Sequence, residues 1–193
     1  RKIILYAGRI SPEKGPLDLV HAFAELRKHR QDVFLLLVGE LRTGADRRGE
    51  YGRKLLAACE TLGDDCYHAG TVDPAHMQEY YQAADLAVVP SEFEEPFGMV
   101  AIEAMAAGIP VLAANKGGLR EFVIPHETGF LIMDTRDYAG FARQMHGLLD
   151  RPSDLERVRR NARAYVEQHH GWDIVSRDLE RAYDAVLADR QTE

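Results

Sequence analysis

The 193-residue chain has only two cysteines. That is too few for a disulfide framework, and the spacing of Cys59 and Cys66 matches neither a redox CxxC pair nor a zinc site. They read as two buried thiols in a reducing compartment. Long hydrophobic runs are missing: no stretch approaches the roughly 18–20 apolar residues that a membrane helix needs. Positive charge is in deficit, with 24 Lys and Arg against 31 Asp and Glu for a net charge of −7. This argues against nucleic acid as a partner, because a phosphate backbone demands a basic face. Neither a Pro/Gly/Ser-rich tract nor a block of like charge is present to signal disorder. There is no Asp-x-Asp and no helically spaced His pair, so metal-independent chemistry is expected, and the histidines read as surface or satisfied residues. His169 and His170, as neighbours on a helix, should point to different faces. There is no signal peptide, since Arg1-Lys2 run directly into Ile3-Ile4-Leu5-Tyr6. With no initiator Met and a core strand at the start, the chain reads as a piece of a longer polypeptide.

What remains is ordinary globular composition, 46% hydrophobic and 28% charged, at a length that suits one domain. Short apolar runs at 3–8, 33–39, 66–70, 85–90, 110–114 and 128–133 alternate with helical stretches. The first helix carries Leu19, Ala22, Phe23 and Leu26 on one face. A polar loop is expected through Gly49, then helices at 51–62, from Asp73-Pro74 to about 84 with Asp73 as cap, and at 97–107. Strict β-α alternation with short connections predicts a doubly wound parallel α/β sheet, Rossmann-like, over residues 1–133. From about 137 to 190 the pattern is purely helical. One stripe is Tyr138, Phe141, Ala142, Met145 and Leu149. A second is Leu155, Val158, Ala162 and Tyr165, opened by a Ser153/Glu156 capping box. The third, Val175, Leu179, Ala182 and Val186, is expected to reach out and brace a neighbour. These helices are read as completing one domain over 1–193.

Ligands of such sheets bind at the carboxyl ends of the strands, which directs attention to the residues just beyond each apolar run. After the first comes Gly8-Arg9-Ile10-Ser11-Pro12-Glu13-Lys14-Gly15, two cations between turn glycines. A guanidinium fork and a compact ammonium suit a diphosphate, the competing reading being solvated surface cations. After the fourth run, Ser91-Glu92-Phe93-Glu94-Glu95-Pro96-Phe97-Gly98 leads into a helix whose first N–H groups, at Met99 and Val100, form an anion site. Gly98 leaves room for close approach to the backbone. Glu103 is a carboxylate in an otherwise apolar helix, either a ligand for a sugar diol or a residue on the one exposed face. Of Glu92, Glu94 and Glu95, two are expected to do no more than complement the helix dipole. Asn115-Lys116-Gly117-Gly118 is a further phosphate-compatible turn. A nucleoside diphosphate is the common solution of these strand ends.

The segment Glu95-Pro96-Phe97-Gly98-Met99-Val100-Ala101-Ile102-Glu103 resembles the E-x7-E signature of retaining GT-B glycosyltransferases, most closely family 4, also called glycosyltransferase group 1. Gly8-Arg9 with Lys14-Gly15, Gly117-Gly118 with Glu121, and Glu127-Thr128-Gly129-Phe130-Leu131 fall where that family has its other hallmarks. The resemblance implies the C-terminal, donor-binding half of a GT-B fold, without the N-terminal acceptor domain. It assigns Arg9 and Lys14 to the diphosphate, together with the N–H groups of Met99 and Val100. Glu103 takes the ribose, and Glu95 the donor sugar, with the backbone of Phe97 and Gly98. The turn Gly70-Thr71-Val72-Asp73 faces the base, and Gly8 belongs to the site as well. Arg120 departs from the family, which often has Pro there.

The activity so implied is hexosyl transfer with retention from a UDP-, GDP- or ADP-sugar to a glycan, lipid or other hydroxyl acceptor. No cofactor or metal is required, and Arg9, Lys14 and Glu95 form the catalytic set. Further expectations are bacterial envelope polysaccharide or lipopolysaccharide assembly, a cytoplasmic location, and peripheral membrane association through the missing domain. The rival is a non-catalytic nucleotide sensor on the same scaffold. A phosphorylase would need a cofactor lysine.

Overall fold

The short apolar runs are strands of one sheet. The computed structural model describes residues 1–41 and 47–190. In it β1 (Lys2–Ala7), β2 (Val33–Val38), β3 (Cys66–Gly70), β4 (Leu86–Val89), β5 (Val111–Ala114) and β6 (Phe130–Ile132) pair in parallel in the order β3-β2-β1-β4-β5-β6. Their runs are apolar throughout because both faces are covered. Ile4 and Tyr6, Leu35 and Leu37, and Val88 and Leu112 point into one core. Leu5, Ala87, Val89, Val111 and Ala113 point into the other. The expected doubly wound α/β fold is the fold observed.

Helices α1 (Pro16–Arg27), α2 (Arg47–Glu60) and α6 (Tyr138–Leu149) close the first core. Helices α3 (Met77–Ala83), α4 (Met99–Ala106) and α5 (Leu119–Phe122) close the second, joined by the later turns of α7 (Pro152–His169). The stripe Leu19, Ala22, Phe23 and Leu26 is fully buried. In α6, Phe141, Ala142, Met145 and Leu149 are buried as expected, with Leu148 beside them. Arg30 clamps this face by pairing with Asp150 at 2.5 Å, and the Arg159 Nε donates to the Gly108 carbonyl at 2.6 Å.

Several boundaries differ from expectation. Strands β1 and β2 stop one residue short of the expected runs, at Ala7 and Val38. The next residues, Gly8 and Gly39, still donate to the Val38 and Gly70 carbonyls at 2.9 and 2.8 Å. A Cβ on Gly39 would collide with the Gly8 carbonyl. Part of the loop expected through Gly49 lies outside the described residues, at 42–46, and α2 already begins at Arg47. Asp73 does cap as expected, its Oδ1 accepting from the Ala75 N–H at 2.9 Å, but the first turn, Pro74–His76, is 3-10. The Ser153/Glu156 capping box is absent: Pro152 occupies the first helical position, Arg151 precedes it without a side-chain cap, and Glu156 pairs with Arg159 and Arg160. Val166 takes the core place expected of Tyr165, which is half-buried. Cys59 is buried but Cys66 only partly so. The stripe of α8 (Trp172–Arg190) is exposed, with Val175, Leu179 and Val186 at 43–56%. Among the described residues no helix is long and apolar enough to cross a membrane.

Candidate active site

The sheet order places a topological switch between β1 and β4, where successive connections leave toward opposite edges and a crevice opens at the carboxyl ends. A cleft of about 270 Å³ lies there, lined by Tyr6, Gly8, Lys14, Ser91, Glu95 and residues 96–100. The loops after β1 and β4 are latched. The Glu92 N–H donates to the Glu13 carbonyl at 2.8 Å. Gly15 (φ 67°) packs so tightly on the Pro90 carbonyl that no side chain would fit.

That latch brings Lys14 to Glu95. The ammonium lies 2.7 and 2.8 Å from the two carboxylate oxygens, and the Ser91 hydroxyl donates to one of them at 3.0 Å. Glu95 is 7% exposed, so its charge needs these partners. The Lys14 ammonium also sits 4.9 Å above the centre of the Phe93 ring. Tyr6, at the floor, donates to the Arg9 carbonyl at 2.6 Å. Burial holds its phenol well above the ordinary value and so keeps it a donor.

Gly98 caps α4 at φ 100° without any side-chain acceptor. The first N–H groups of a helix have no intrahelical acceptor, so those of Met99 and Val100 face the cleft with the positive end of the dipole. A Cβ on Gly98 would sit 2.5 Å from the Leu119 Cδ2. The Phe97 ring packs against Phe122 and His170, with ring centres 5.5 Å apart in each case.

Glu103 is exposed and lies one turn further along α4. It lines a separate groove of about 440 Å³ beside α3, with Met77, Gln78 and Tyr81. Its partner is the Tyr81 hydroxyl, which donates to Oε2 at 2.8 Å. Burial first, then the Glu103 charge, pushes that phenol well above its ordinary value. Thus the two acids of the E-x7-E segment line two different depressions, Glu95 the cleft at the start of α4 and Glu103 the groove between α3 and α4. Arg9 is exposed on the loop after β1, Thr71 is exposed and Val72 half-buried on the loop after β3; none of the three lines the cleft.

Other expectations need correction. The Gly117-Gly118 turn is not a free anion nest: the Gly117 N–H donates to the Glu94 carboxylate at 2.6 Å and the Gly118 N–H to the Glu95 carbonyl at 2.7 Å. The turn props up the loop that carries Glu95. Glu92 and Glu94 do more than complement a dipole, since Glu94 pairs with Arg120 at 3.0 Å and Glu92 with Arg136 at 3.3 Å. His169 and His170 do not diverge, because His170 is the C-cap and both rings contact Tyr165. Nor is His170 satisfied, its Nε2 being buried without a partner among the described residues.

Tyr81 is the site residue that sequence reasoning missed, along with the role of Ser91. Ser91 is the first residue of the segment beyond the fourth apolar run, and its bond to Glu95 shows that role. No local signal marks Tyr81, because its role arises from the packing of α3 on α4.

The sequence pattern described as "Glycosyl transferases group 1" matches residues 1–165. The chain is 40% identical over 183 residues to a lipopolysaccharide 1,2-N-acetylglucosaminetransferase of Salmonella typhimurium, covering 92% of this chain and 47% of that protein. It superimposes on a sucrose-phosphate synthase from Thermosynechococcus elongatus with a TM-score of 0.85 at 35% identity, covering 97% and 46% of the two chains. A further neighbour is the Anabaena protein HepE, solved in complex with UDP, with a TM-score of 0.85 at 25% identity and 95% and 48% coverage. The chain spans about half the length of the curated relatives it matches.

Proposed function

Since the chain belongs to the group 1 glycosyl transferases, we propose that it is the donor-binding domain of a retaining glycosyltransferase, moving a hexosyl group from a nucleoside-diphosphate sugar to a hydroxyl acceptor. The observation that carries the reading is the cleft at the β1–β4 switch, where Lys14, Glu95 and the uncapped start of α4 converge. The neighbour solved with UDP supports a uridine nucleotide as the first donor to try. The relative named lipopolysaccharide 1,2-N-acetylglucosaminetransferase supports a saccharide acceptor in envelope glycan assembly.

The diphosphate lies against the N–H groups of Met99 and Val100, with Lys14 and Arg9 supplying positive charge. Charge builds on the diphosphate as the bond to the sugar breaks, and fixed donors at that point lower the barrier. Lys14 must release Glu95 to reach a phosphate, and the freed carboxylate then accepts hydrogen bonds from donor-sugar hydroxyls. After the exchange Lys14 is paired with phosphate, and Glu95 keeps the Ser91 hydroxyl and gains sugar hydroxyls as hydrogen-bond donors. Glu103, held by Tyr81, takes the ribose hydroxyls in the groove beyond the helix start, and the backbone around Thr71 and Val72 meets the base. The departing phosphate accepts the acceptor's proton on the same face, which yields retention without a covalent intermediate. None of these roles calls on a metal ion. By itself the chain binds donor and does not transfer.

A thermal-shift series with UDP, GDP, ADP and their sugars tests this. A donor at about 100 times its Kd stabilises by about 2.7 kcal/mol, and Lys14→Ala should abolish the response. Absence of a shift with every nucleotide refutes the reading.

A further inference from the structure

The carboxyl edge of the sheet carries a third depression, of about 410 Å³, beyond the ends of β5 and β6. Glu92, Asn115, Lys116, Asp134 and Arg136 line it, with Met133 at its rim 79% exposed. It shares a wall with the central cleft: in the loop after β4, Ser91 and Glu95 face the cleft and Glu92 faces this cavity. In the sheet order the β5–β6 cavity follows the β1–β4 cleft on the same carboxyl edge, while the α3–α4 groove opens between two helices on one face of the sheet. If ribose, diphosphate and donor sugar run from Glu103 past the start of α4 to Glu95, the next space along the edge is this cavity.

Its chemistry restricts the occupant. Two cations face two acids, and they are already engaged. The Lys116 ammonium is 3.7 Å from the Glu92 carboxylate and donates to the Glu92 carbonyl at 2.9 Å. The Arg136 guanidinium lies 3.3 Å from Glu92, and the Thr135 hydroxyl donates to the same carboxylate. Asp134 accepts from the Arg136 N–H at 2.9 Å. A phosphate or carboxylate would have to break these pairs and lie against Glu92. A neutral polyol would not, because each of its hydroxyls both donates and accepts. The Asn115 amide offers both functions, its only partner among the described residues being the weak acceptor Sδ of Met133 at 3.7 Å. Met133 adds an apolar edge for the C–H face of a pyranose.

We propose that the β5–β6 cavity binds a neutral saccharide ring of the acceptor glycan, beside the donor sugar. The acceptor role rests on the donor-binding reading above. The test is an NMR titration of the isotope-labelled chain, first with UDP and then with methyl α-glucoside. UDP should move the amides of Gly98, Met99 and Val100. The glucoside should then move those of Asn115, Lys116, Asp134 and Arg136 saturably, with the first set staying at its UDP-bound positions. Asn115→Ala and Arg136→Ala should each weaken the glucoside about tenfold, the loss of one hydrogen bond to a saccharide, and leave UDP affinity unchanged.

The proposal is overturned if the glucoside moves no amide saturably, if it competes with UDP, or if inorganic phosphate takes its place in the cavity. Movement of the cavity amides by UDP-glucose alone would assign the space to the donor's own ring and overturn it too. If UDP leaves 98–100 unmoved, the donor reading falls and takes the acceptor role with it. The glucoside shifts report on the cavity separately.

Discussion

Lys14 and Glu95 lie 81 residues apart in the chain, yet the ammonium of one is within 2.8 Å of both carboxylate oxygens of the other. Each is the partner that makes the other's burial tolerable. Lys14→Ala strands a buried carboxylate, and breaking such a pair from one side costs about 3 kcal/mol. Adding Glu95→Gln to Lys14→Ala should recover more than half of that loss. Urea denaturation of the two single variants and the double variant closes the cycle.

Gly98→Ala should lower nucleotide affinity at least about tenfold and stability by about 1–3 kcal/mol. Its φ of 100° is foreign to a residue with a Cβ, and the new methyl meets Leu119. Calorimetric titration with UDP and a denaturation curve measure the two effects separately.

Glu103→Ala should cost about 0.5–1.5 kcal/mol of stability, because the buried Tyr81 loses the acceptor of its hydroxyl, while UDP affinity falls about tenfold through the loss of a charge-assisted hydrogen bond. The same variant should bind UDP and its 2′-deoxy analogue equally, because the group that distinguishes them is gone. A persisting preference for UDP would remove Glu103 from the ribose site.

His170 makes stability depend on pH. Its burial among Phe97, Phe122 and Tyr165, followed by the nearby His169, holds the imidazole below its ordinary value. In the unfolded chain it titrates near about 6.5, so below that pH the unfolded state binds more protons than the folded one. The His170 contribution is therefore full above about pH 6.5 and is lost as pH falls through the folded value. His170→Phe should flatten this part of the profile, visible as a smaller drop in urea midpoint between pH 7.5 and 5.

The strands and the parallel sheet were legible from short apolar runs such as VFLLLV at Val33–Val38, alternating with helical stretches, whereas the strand order β3-β2-β1-β4-β5-β6 came from the structure. The cleft was legible through Lys14 and the Glu95-to-Val100 segment, since residues just past strand ends lie along one edge. What escaped were relations between distant segments. Tyr81 meets Glu103 only because two helices pack side by side. The Gly117-Gly118 turn looks like an anion nest until Glu94 and the Glu95 carbonyl are found filling it. The capping box failed because Pro152 started its helix one residue before Ser153.

The switch between β1 and β4 has a consequence for how such a protein can diversify. The crevice is a by-product of winding direction, owed to no particular side chain, so its location survives wholesale replacement of the surrounding surface. Its clientele is decided by a handful of loop residues that contribute little to the cores. Substrate choice is thereby uncoupled from folding, and a new specificity can be acquired by redrawing the rim while the foundation stays as it was.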